Sequence, residues 1–311
     1  MRRADDNQQL ILAHRKRTRL AAVLIFGLIP LTLVAAQLIF NGRQYMLASL
    51  LLLIYTFVPF FMVFERRRPK AREMVLIAMV SALTVCLQLV CRFTIPVSAG
   101  TAMVIVAGVA LGPEAGFLIG ALARFMLNFY EGQGPWTPWQ MFCWGLLAFL
   151  AGLAFNRAGI EKKHSRQFKL LLGPVVCVVA AELLGYLYFL LFHGPEESFF
   201  GWRLYIFGAL GLLAGVLLQR RRLPVDDITL TVFTFFGIFI IYGGLMNICA
   251  MVTAAGVPGS DVSWDQLKVL YLSGVPYDLG HALGSAVFMF VFGNNLIYKL
   301  ERIKIKYGIY R

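Results

Sequence analysis

Arg124, Asn128 and Glu131 are polar residues in an otherwise apolar stretch, and they follow one another at intervals of four and three residues. This spacing places all three side chains on one face of a helix. A charged side chain within a membrane-spanning helix costs about 2.5–3.5 kcal/mol near the bilayer centre, so it usually faces a cavity or a partner. A guanidinium, an amide and a carboxylate on one face are suited to holding a small polar molecule.

A second polar face, formed by Asp278, His281 and Ser285, occurs in the last long apolar stretch. Asn247 lies close to the end of the apolar stretch before it. Together with the first face, these residues predict that three helices become polar toward the same side of a membrane. A pocket with apolar walls and a few polar groups is the usual form of a small-molecule binding site.

Each of these residues also has a purely structural interpretation. Arg124 has a long stem that could extend to the lipid headgroups, and Asp278 could cap a helix that begins after Pro276. A single histidine such as His281 is often a packed core residue. Glu182, in the middle of another apolar stretch, could pair with a neighbouring helix rather than bind a ligand.

The segment 131–140 reads Glu-Gly-Gln-Gly-Pro-Trp-Thr-Pro-Trp-Gln. Its two prolines stiffen the chain, and its two glycines permit turns. The tryptophans are also compatible with the aromatic belt found at membrane surfaces. We favour a loop that folds over a bound ligand and places Trp136, Thr137, Trp139 and Gln140 in the binding site.

The sequence lacks the short motifs of several enzyme classes. It has no G-x-x-x-x-G-K-[ST] phosphate loop, no H-E-x-x-H, no G-x-S-x-G and no pair of Asp-rich segments for magnesium. The five cysteines lie in or beside apolar stretches, without metal-type spacing. We therefore expect no catalytic residues, no metal and no covalently bound cofactor. A membrane enzyme acting on a lipid or quinone is the least favoured alternative.

The composition indicates a membrane protein. Hydrophobic residues make up 59% of the chain and charged residues 14%, with a mean hydropathy of +0.73. A soluble domain has about 45–50% apolar and about 25% charged residues. The net charge is +13, but the basic residues form short clusters between apolar stretches. That distribution is typical of membrane orientation signals and argues against nucleic acid as a partner.

Ten apolar stretches have the length, or nearly the length, needed to cross a bilayer. They lie near residues 20–40, 45–64, 73–91, 100–112, 115–130, 139–156, 170–192, 203–219, 228–252 and 277–298. This predicts an all-α, polytopic transmembrane bundle of about ten spans with both termini in the cytoplasm. The cytoplasmic segments then hold 24 Lys and Arg and the external segments hold four, in agreement with the positive-inside rule.

The fourth and fifth spans are short and are joined by Gly112-Pro113-Glu114. One long helix across both spans is the competing interpretation. Merging them would place the basic segment 157–169 outside, against the positive-inside rule. Pro113 also disfavours a continuous helix, so we predict two helices here.

Several short patterns occur together in this sequence. Ala78 and Ala82 form A-x-x-x-A, a spacing that lets another helix approach closely. The others are Leu111-Gly112-Pro113, Gly134-Pro-Trp-Thr-Pro-Trp-Gln140, Gly243-x-x-x-Asn247 and Pro276-Tyr-Asp-x-x-His281. Together they resemble the substrate-binding S component of an energy-coupling factor (ECF) vitamin transporter. The resemblance covers residues 73–156 and 228–298.

The resemblance implies a bacterial, multi-pass protein of the cell membrane that captures a vitamin from outside with high affinity. The chain would dock on a transmembrane T component that carries two cytoplasmic ATPase subunits, so the partners would hydrolyse ATP. Ala78 and Ala82 would contact the T component. S components with such a tryptophan segment resemble those suspected of handling cobalamin-like or related large vitamins. The expected ligand contacts are Arg124, Asn128, Trp136, Thr137, Trp139, Gln140, Asn247, Asp278 and His281.

The chain departs from the six-helix pattern of that family. We expect a basic N-terminal region with an extra helix pair in residues 1–72. An S-component-like membrane domain would follow in residues 73–311, with an inserted helix pair near 170–219. The main alternative function is an ion-coupled secondary transporter that uses Arg124, Glu182 or Asp278.

Overall fold

The computed structural model describes residues 21–40, 47, 50–52, 54–55, 71–94, 98–155, 168–192, 199–219, 222–254 and 263–308. Within these ranges the chain forms nine helices of more than ten residues and no strand. The helices are α1 (a π-helical turn Leu24–Leu28 that continues as Ile29–Phe40), α2 (Ala71–Thr94), α3 (Ala99–Leu111), α4 (Pro113–Glu131), α5 (Thr137–Ala154), α6 (Phe168–Phe192), α7 (Trp202–Leu218), α8 (Asp227–Ala254) and α9 (Trp264–Lys306). Most of the predicted second span, 45–64, lies outside the described residues.

Five of the described helices are long and apolar enough to cross a membrane. Their apolar segments are Ala71–Phe93, Thr137–Ala154, Val175–Phe192, Asp227–Ala254 and Trp264–Lys306. The all-helical prediction is therefore confirmed. The number of spans and the side on which each terminus lies remain predictions.

α3 is the central helix of the bundle, and every one of its 13 residues is buried. It ends at Leu111, and α4 begins at Pro113, so the predicted break between two helices is confirmed. Gly112 joins them with a backbone φ of 98°, a conformation that favours glycine. Pro113 then occupies the start of α4, where its missing N–H costs no helical hydrogen bond.

Small residues bring α3, α4 and α5 into backbone contact. A Cβ added at Gly108 on α3 would overlap the carbonyl group of Ala148 on α5. One added at Gly120 on α4 would lie 2.7 Å from the carbonyl carbon of Trp144 on α5. Close approach through small residues is the usual way in which helices associate in lipid, where no hydrophobic effect drives them together.

α6 and α7 form a second close pair. A Cβ at Gly211 on α7 would lie 2.6 Å from the Cα of Val178 on α6. α7 also contacts α8 and α9: the ring centroid of Tyr205 lies 5.2 Å from that of Phe239 on α8 and 4.8 Å from that of Tyr271 on α9. The pair near 170–219 is thus packed against the rest of the bundle.

Polar side chains of α9 and α2 meet at the end of the bundle where α9 has its C-terminus. Lys304 Nζ donates to the carbonyl oxygen of Ala110, in the last turn of α3, at 2.6 Å, and pairs with Glu301 at 2.9 Å. Arg72, at the start of α2, donates to the carbonyl oxygen of Tyr307 at 3.3 Å. Lysine near a helix C-terminus is favourable because it neutralises the partial negative charge of the terminal carbonyls.

One helix is longer than the span predicted within it, and one sequence-based boundary is wrong. The last predicted span, 277–298, is part of a helix that already begins at Trp264, with Ser263 as its N-cap and Pro276 inside it. The predicted loop 131–140 ends at Trp136, because Thr137 begins α5 with Pro138 in its first turn. Proline is compatible with the first turn of a helix, and neighbouring helices allow it inside a membrane helix.

The glycine contacts predict a large stability effect at Gly108. Gly108→Ala should lower the melting temperature of the detergent-purified protein, because overpacking costs about 1–3 kcal/mol. Gly280→Ala is the matched control, since a Cβ there meets nothing within 4 Å. Equal melting temperatures for the two variants would contradict the packing described here.

The length of α9 predicts that both of its ends leave the membrane. Its 43 residues span about 65 Å at 1.5 Å per residue, against a hydrocarbon core of about 30 Å. Asp265→Cys should react with a membrane-impermeant maleimide only from outside, and Lys306→Cys only from the cytoplasmic side. The unsubstituted chain, with its five native cysteines, measures the background. Labelling of both positions from the same side would contradict the predicted orientation.

Candidate functional site

The polar residues gather at one end of the bundle, where α2, α4, α6 and α8 end and α3, α5, α7 and α9 begin. We call this the binding end. In the predicted orientation it faces outside the cell. The sequence-based expectation that three helices become polar toward the same side agrees with this arrangement.

The α4–α5 cluster consists of Arg124, Asn128 and Glu131 on α4 with Thr137 and Gln140 on α5. Arg124 donates from Nε to Gln140 Oε1 at 3.0 Å and from Nη2 to Glu131 Oε2 at 2.8 Å. Asn128 donates from Nδ2 to Thr137 Oγ1 at 3.0 Å and to Gln140 Oε1 at 2.9 Å. The predicted helical face therefore exists, and the first turn of α5 supplies its partners.

The connection between α4 and α5 holds this cluster in place. Gly132 has a φ of 102° and ends α4, and the Gly134 N–H donates to Thr137 Oγ1 at 3.1 Å. Arg92, at the end of α2, forms an ion pair with Glu131. Arg124 itself is only 8% exposed. Its acceptors, Gln140 and Glu131, hold it within the protein, so it does not extend to the lipid headgroups.

The Asp278 cluster joins three helices at the same end. Asp278 Oδ2 on α9 accepts hydrogen bonds from the Tyr205 hydroxyl on α7 and from Asn247 Nδ2 on α8, the latter at 3.0 Å. Asn247 Nδ2 also donates to the carbonyl oxygen of Gly243 at 2.9 Å. Asp278 lies fifteen residues into α9, so the interpretation of Asp278 as a helix cap after Pro276 is wrong.

His281 connects α9 to the central helix. A hydrogen bond of 3.0 Å joins its Nε2 to Thr101 Oγ1 near the start of α3. The ring of Tyr242, in the π-helical turn Gly237–Gly243 of α8, meets the imidazole edge to face at 4.8 Å. One turn further along α9, Ser285 Oγ donates to the carbonyl oxygen of Ser98 at 3.0 Å.

Trp144 lies between the two groups of polar residues. The Arg124 guanidinium lies over its ring, 5.2 Å from the centroid, a favourable cation–π geometry. The far edge of the ring reaches Gly100, where an added Cβ would lie 2.8 Å from it. Gly100 is followed directly by Thr101, the partner of His281. The indole of Trp144 thus contacts Arg124 on α4 and reaches the start of α3.

Apart from Glu131 Oε1, which is ion-paired with Arg92, four buried polar atoms at the binding end have no hydrogen-bond partner among the described residues. They are Asn128 Oδ1, Trp144 Nε1, His281 Nδ1 and, in the connection between α4 and α5, Gln133 Oε1. The other polar atom of each side chain, Asn128 Nδ2 and His281 Nε2, forms hydrogen bonds within the protein. Buried polar groups are nearly always paired in native proteins, and leaving one unpaired costs about 1–3 kcal/mol. Two amide oxygens, an indole N–H and an imidazole nitrogen at the binding end are without a partner among the described residues.

The structure does not bring all the predicted site residues together. Arg124, Asn128, Thr137 and Gln140 form one cluster, and Asn247 and Asp278 form another. His281 bonds instead to Thr101 on α3. Trp139 instead packs among apolar residues between α5 and α1. Trp136 is 40% exposed and donates to the Gly132 carbonyl oxygen at 3.4 Å.

Sequence reasoning missed Thr101, Trp144, Tyr205 and Tyr242 as members of this region. Trp144 follows Gln140 by four residues, and this helical spacing could have revealed it. Thr101 is a lone hydroxyl residue in an apolar helix. Tyr205 and Tyr242 carried no signal, because only the packing of helices distant in sequence brings them here.

Ala78 and Ala82 lie on an exposed face of α2. Their neighbours on this face include Val75 and Met79, which are 55% and 61% exposed. The opposite face, with Ile77, Ser81 and Thr84, packs into the bundle. The small-residue pair is therefore available to another helix.

Among the described residues, no group of three His, Cys, Asp or Glu side chains converges in a way that could hold a metal ion.

The comparisons with known proteins give one match. Residues 69–194, less than half of the chain, match the family model described as ECF-type riboflavin transporter, S component. No curated protein and no solved structure matches the chain. The matched segment includes α6, which sequence analysis placed in an inserted pair, and it ends before residues 228–298.

That family is a transporter family, not an enzyme family, and its members act in vitamin uptake at a membrane. The apolar helices of this chain agree with such a setting. The resemblance to the S component of ECF transporters is confirmed over residues 69–194.

Proposed function

We propose that this chain is the substrate-capture subunit of an ATP-dependent ECF vitamin importer in a bacterial cell membrane. The observation that carries the proposal is the set of unpaired polar atoms at the binding end, in a chain that matches an S-component model. The site would accept the vitamin from outside. A T component and two cytoplasmic ATPase subunits would supply transport, and ATP would be hydrolysed by the ATPase subunits.

Riboflavin is the first ligand to test. The model that matches residues 69–194 is named for riboflavin transporters, which is a more specific indication than the tryptophan segment that suggested a cobalamin-like vitamin. A flat heteroaromatic ring with polar edges suits a site that combines the Trp144 ring with an unpaired acceptor and an unpaired donor. Cobalamin serves as the competing ligand.

An ion-coupled secondary transporter is the second candidate, and Glu182 favours it. Glu182 lies within α6, and its Oε2 is buried without a partner among the described residues. Gly208 on α7 and Ile240 on α8 pack beside it. Ionisable groups in membrane helices often mark proton or ion pathways.

Binding and uptake measurements separate these candidates. The purified chain should quench riboflavin fluorescence with one-to-one stoichiometry, and liposomes that contain the chain alone should not accumulate the vitamin. Accumulation by the chain alone, abolished by collapsing the ion gradient and by Glu182→Gln, would favour the second candidate. Failure to bind either riboflavin or cobalamin would overturn the proposal.

His281 offers a paired test of the site. The amide of glutamine reaches the Nε2 position of histidine, and the amide of asparagine reaches the Nδ1 position. His281→Gln should keep the bond to Thr101 but lose the unpaired position, weakening riboflavin binding about tenfold or more. His281→Asn should bind more tightly than His281→Gln. Equal affinity of both variants and the wild type would show that Nδ1 does not contact the ligand.

The α2 face predicts a separation of binding from transport. Ala78→Trp with Ala82→Trp should leave riboflavin binding by the isolated chain intact, because this exposed face of α2 points away from the bundle. Uptake by cells that supply the T component and ATPases should stop, since two indoles would block close helix contact. Ala180→Trp with Leu184→Trp, on an exposed face of α6, is the matched control. Equal loss of binding and uptake would argue against an interface at Ala78 and Ala82.

A further inference from the structure

Tyr205 is a buried tyrosine on a helix outside the segment that matches the S-component model. Its side chain is 3% exposed, and its hydroxyl donates to Asp278 Oδ2. α7 begins at Trp202, whereas the match ends at residue 194. A helix beyond the matched segment therefore places a hydrogen-bond donor against an acidic residue at the binding end.

Contacts at the start of α7 and around Tyr205 fix the position of α7 along α9. The rings of Trp202 and Trp264 stack with centroids 6.4 Å apart. Gly201, with a φ of 120°, lies against the backbone of Leu272. The Tyr205 ring itself stacks on Phe239 at an interplanar angle of 18°. These contacts leave the hydroxyl little freedom to move away from the carboxyl group.

Both hydrogen bonds to Asp278 end on the same oxygen. Tyr205 and Asn247 each donate to Oδ2, and the structure gives Oδ1 no partner among the described residues. Gly243 leaves the space that the carboxyl group occupies, since a Cβ there would lie 2.6 Å from Asp278 Cγ. Asp278 is thus fixed through Oδ2, and its other carboxyl oxygen accepts no hydrogen bond from the described residues.

We propose that Tyr205 is a positioning residue of the vitamin site, acting through Asp278, and that α7 is a wall of this site. The inference rests on the proposed function. Tyr205 and Asn247 orient the carboxyl group so that Oδ1 accepts a hydrogen bond from an N–H or O–H group of the ligand. α7, which lies beyond the segment that matches the S-component model, then takes part in choosing the ligand.

A double-mutant cycle tests this role, with riboflavin as the probe and the full-length chain in detergent. Tyr205→Phe keeps the ring and removes only the hydroxyl, and it should weaken riboflavin binding about tenfold, the range expected for a hydrogen bond to a charged group. Asp278→Asn should weaken binding at least as much. If Tyr205 acts through Asp278, the double variant should match Asp278→Asn within about twofold.

Tyr271→Phe is the matched control for loss of a tyrosine hydroxyl. Tyr271 contacts the Tyr205 ring, but its hydroxyl donates to the carbonyl oxygen of Gly244 at 3.0 Å and not to Asp278. This control should keep wild-type affinity. Its melting temperature and that of Tyr205→Phe show whether stability alone explains a change in binding.

The outcomes are distinct. Wild-type affinity in Tyr205→Phe, or losses that multiply fully in the double variant, would overturn the positioning role while leaving the proposed function intact. Equal weakening by Tyr271→Phe would also overturn it, because a general effect of packing would then be sufficient. Absence of riboflavin and cobalamin binding by the wild type would overturn both the proposed function and the inference.

Discussion

The buried guanidinium of Arg124 is the charge around which the binding end is arranged. Lipid offers no hydrogen bonds, so a membrane protein must satisfy such a group internally. Two acceptors and an aromatic ring do so here: Gln140, Glu131 and the face of Trp144. Because these partners come from α4 and α5, the charge fixes the relative height of the two helices and the turn between them.

The close packing of α3, α4 and α5 makes this arrangement possible. Glycine contacts bring Trp144 near enough to α4 to lie under the guanidinium, and near enough to α3 to reach Gly100. The imidazole of His281 meets the hydroxyl of Thr101, the next residue along α3. Backbone contact in the centre of the bundle and polar contact at its end are therefore two consequences of the same small residues.

Much of the helical framework was predictable from the sequence, because apolar length and charge alternation are local signals. The break at Gly112-Pro113 followed from local chemistry, and so did the polar face of α4. The extension of α9 to Trp264 was not predictable, since Pro276 indicated a boundary. The surrounding helices allow the helix to continue through that proline.

The site was predictable only in part. Residues that share a helix were grouped correctly, and Thr137, Gln140 and Asn247 were named as site residues. Four other partners, Thr101, Trp144, Tyr205 and Tyr242, were not found. Tyr205 and Asp278 are 73 positions apart, and no periodicity links them. The position of Trp139 also depended on a boundary: once α5 begins at Thr137, adjacent residues differ by about 100° in direction, so Trp139 and Gln140 face different neighbours.

The bond between Lys304 and the last turn of α3 has a mechanical consequence. It ties the C-terminal end of the longest helix to the helix at the centre of the molecule, so separating them there would expose carbonyl groups and an ammonium group at once. α9 is one continuous helix from Trp264 to Lys306, and this bond holds its C-terminal end. A tilt of α9 that keeps this bond would pivot near Ala110 and would displace the Trp264 end most.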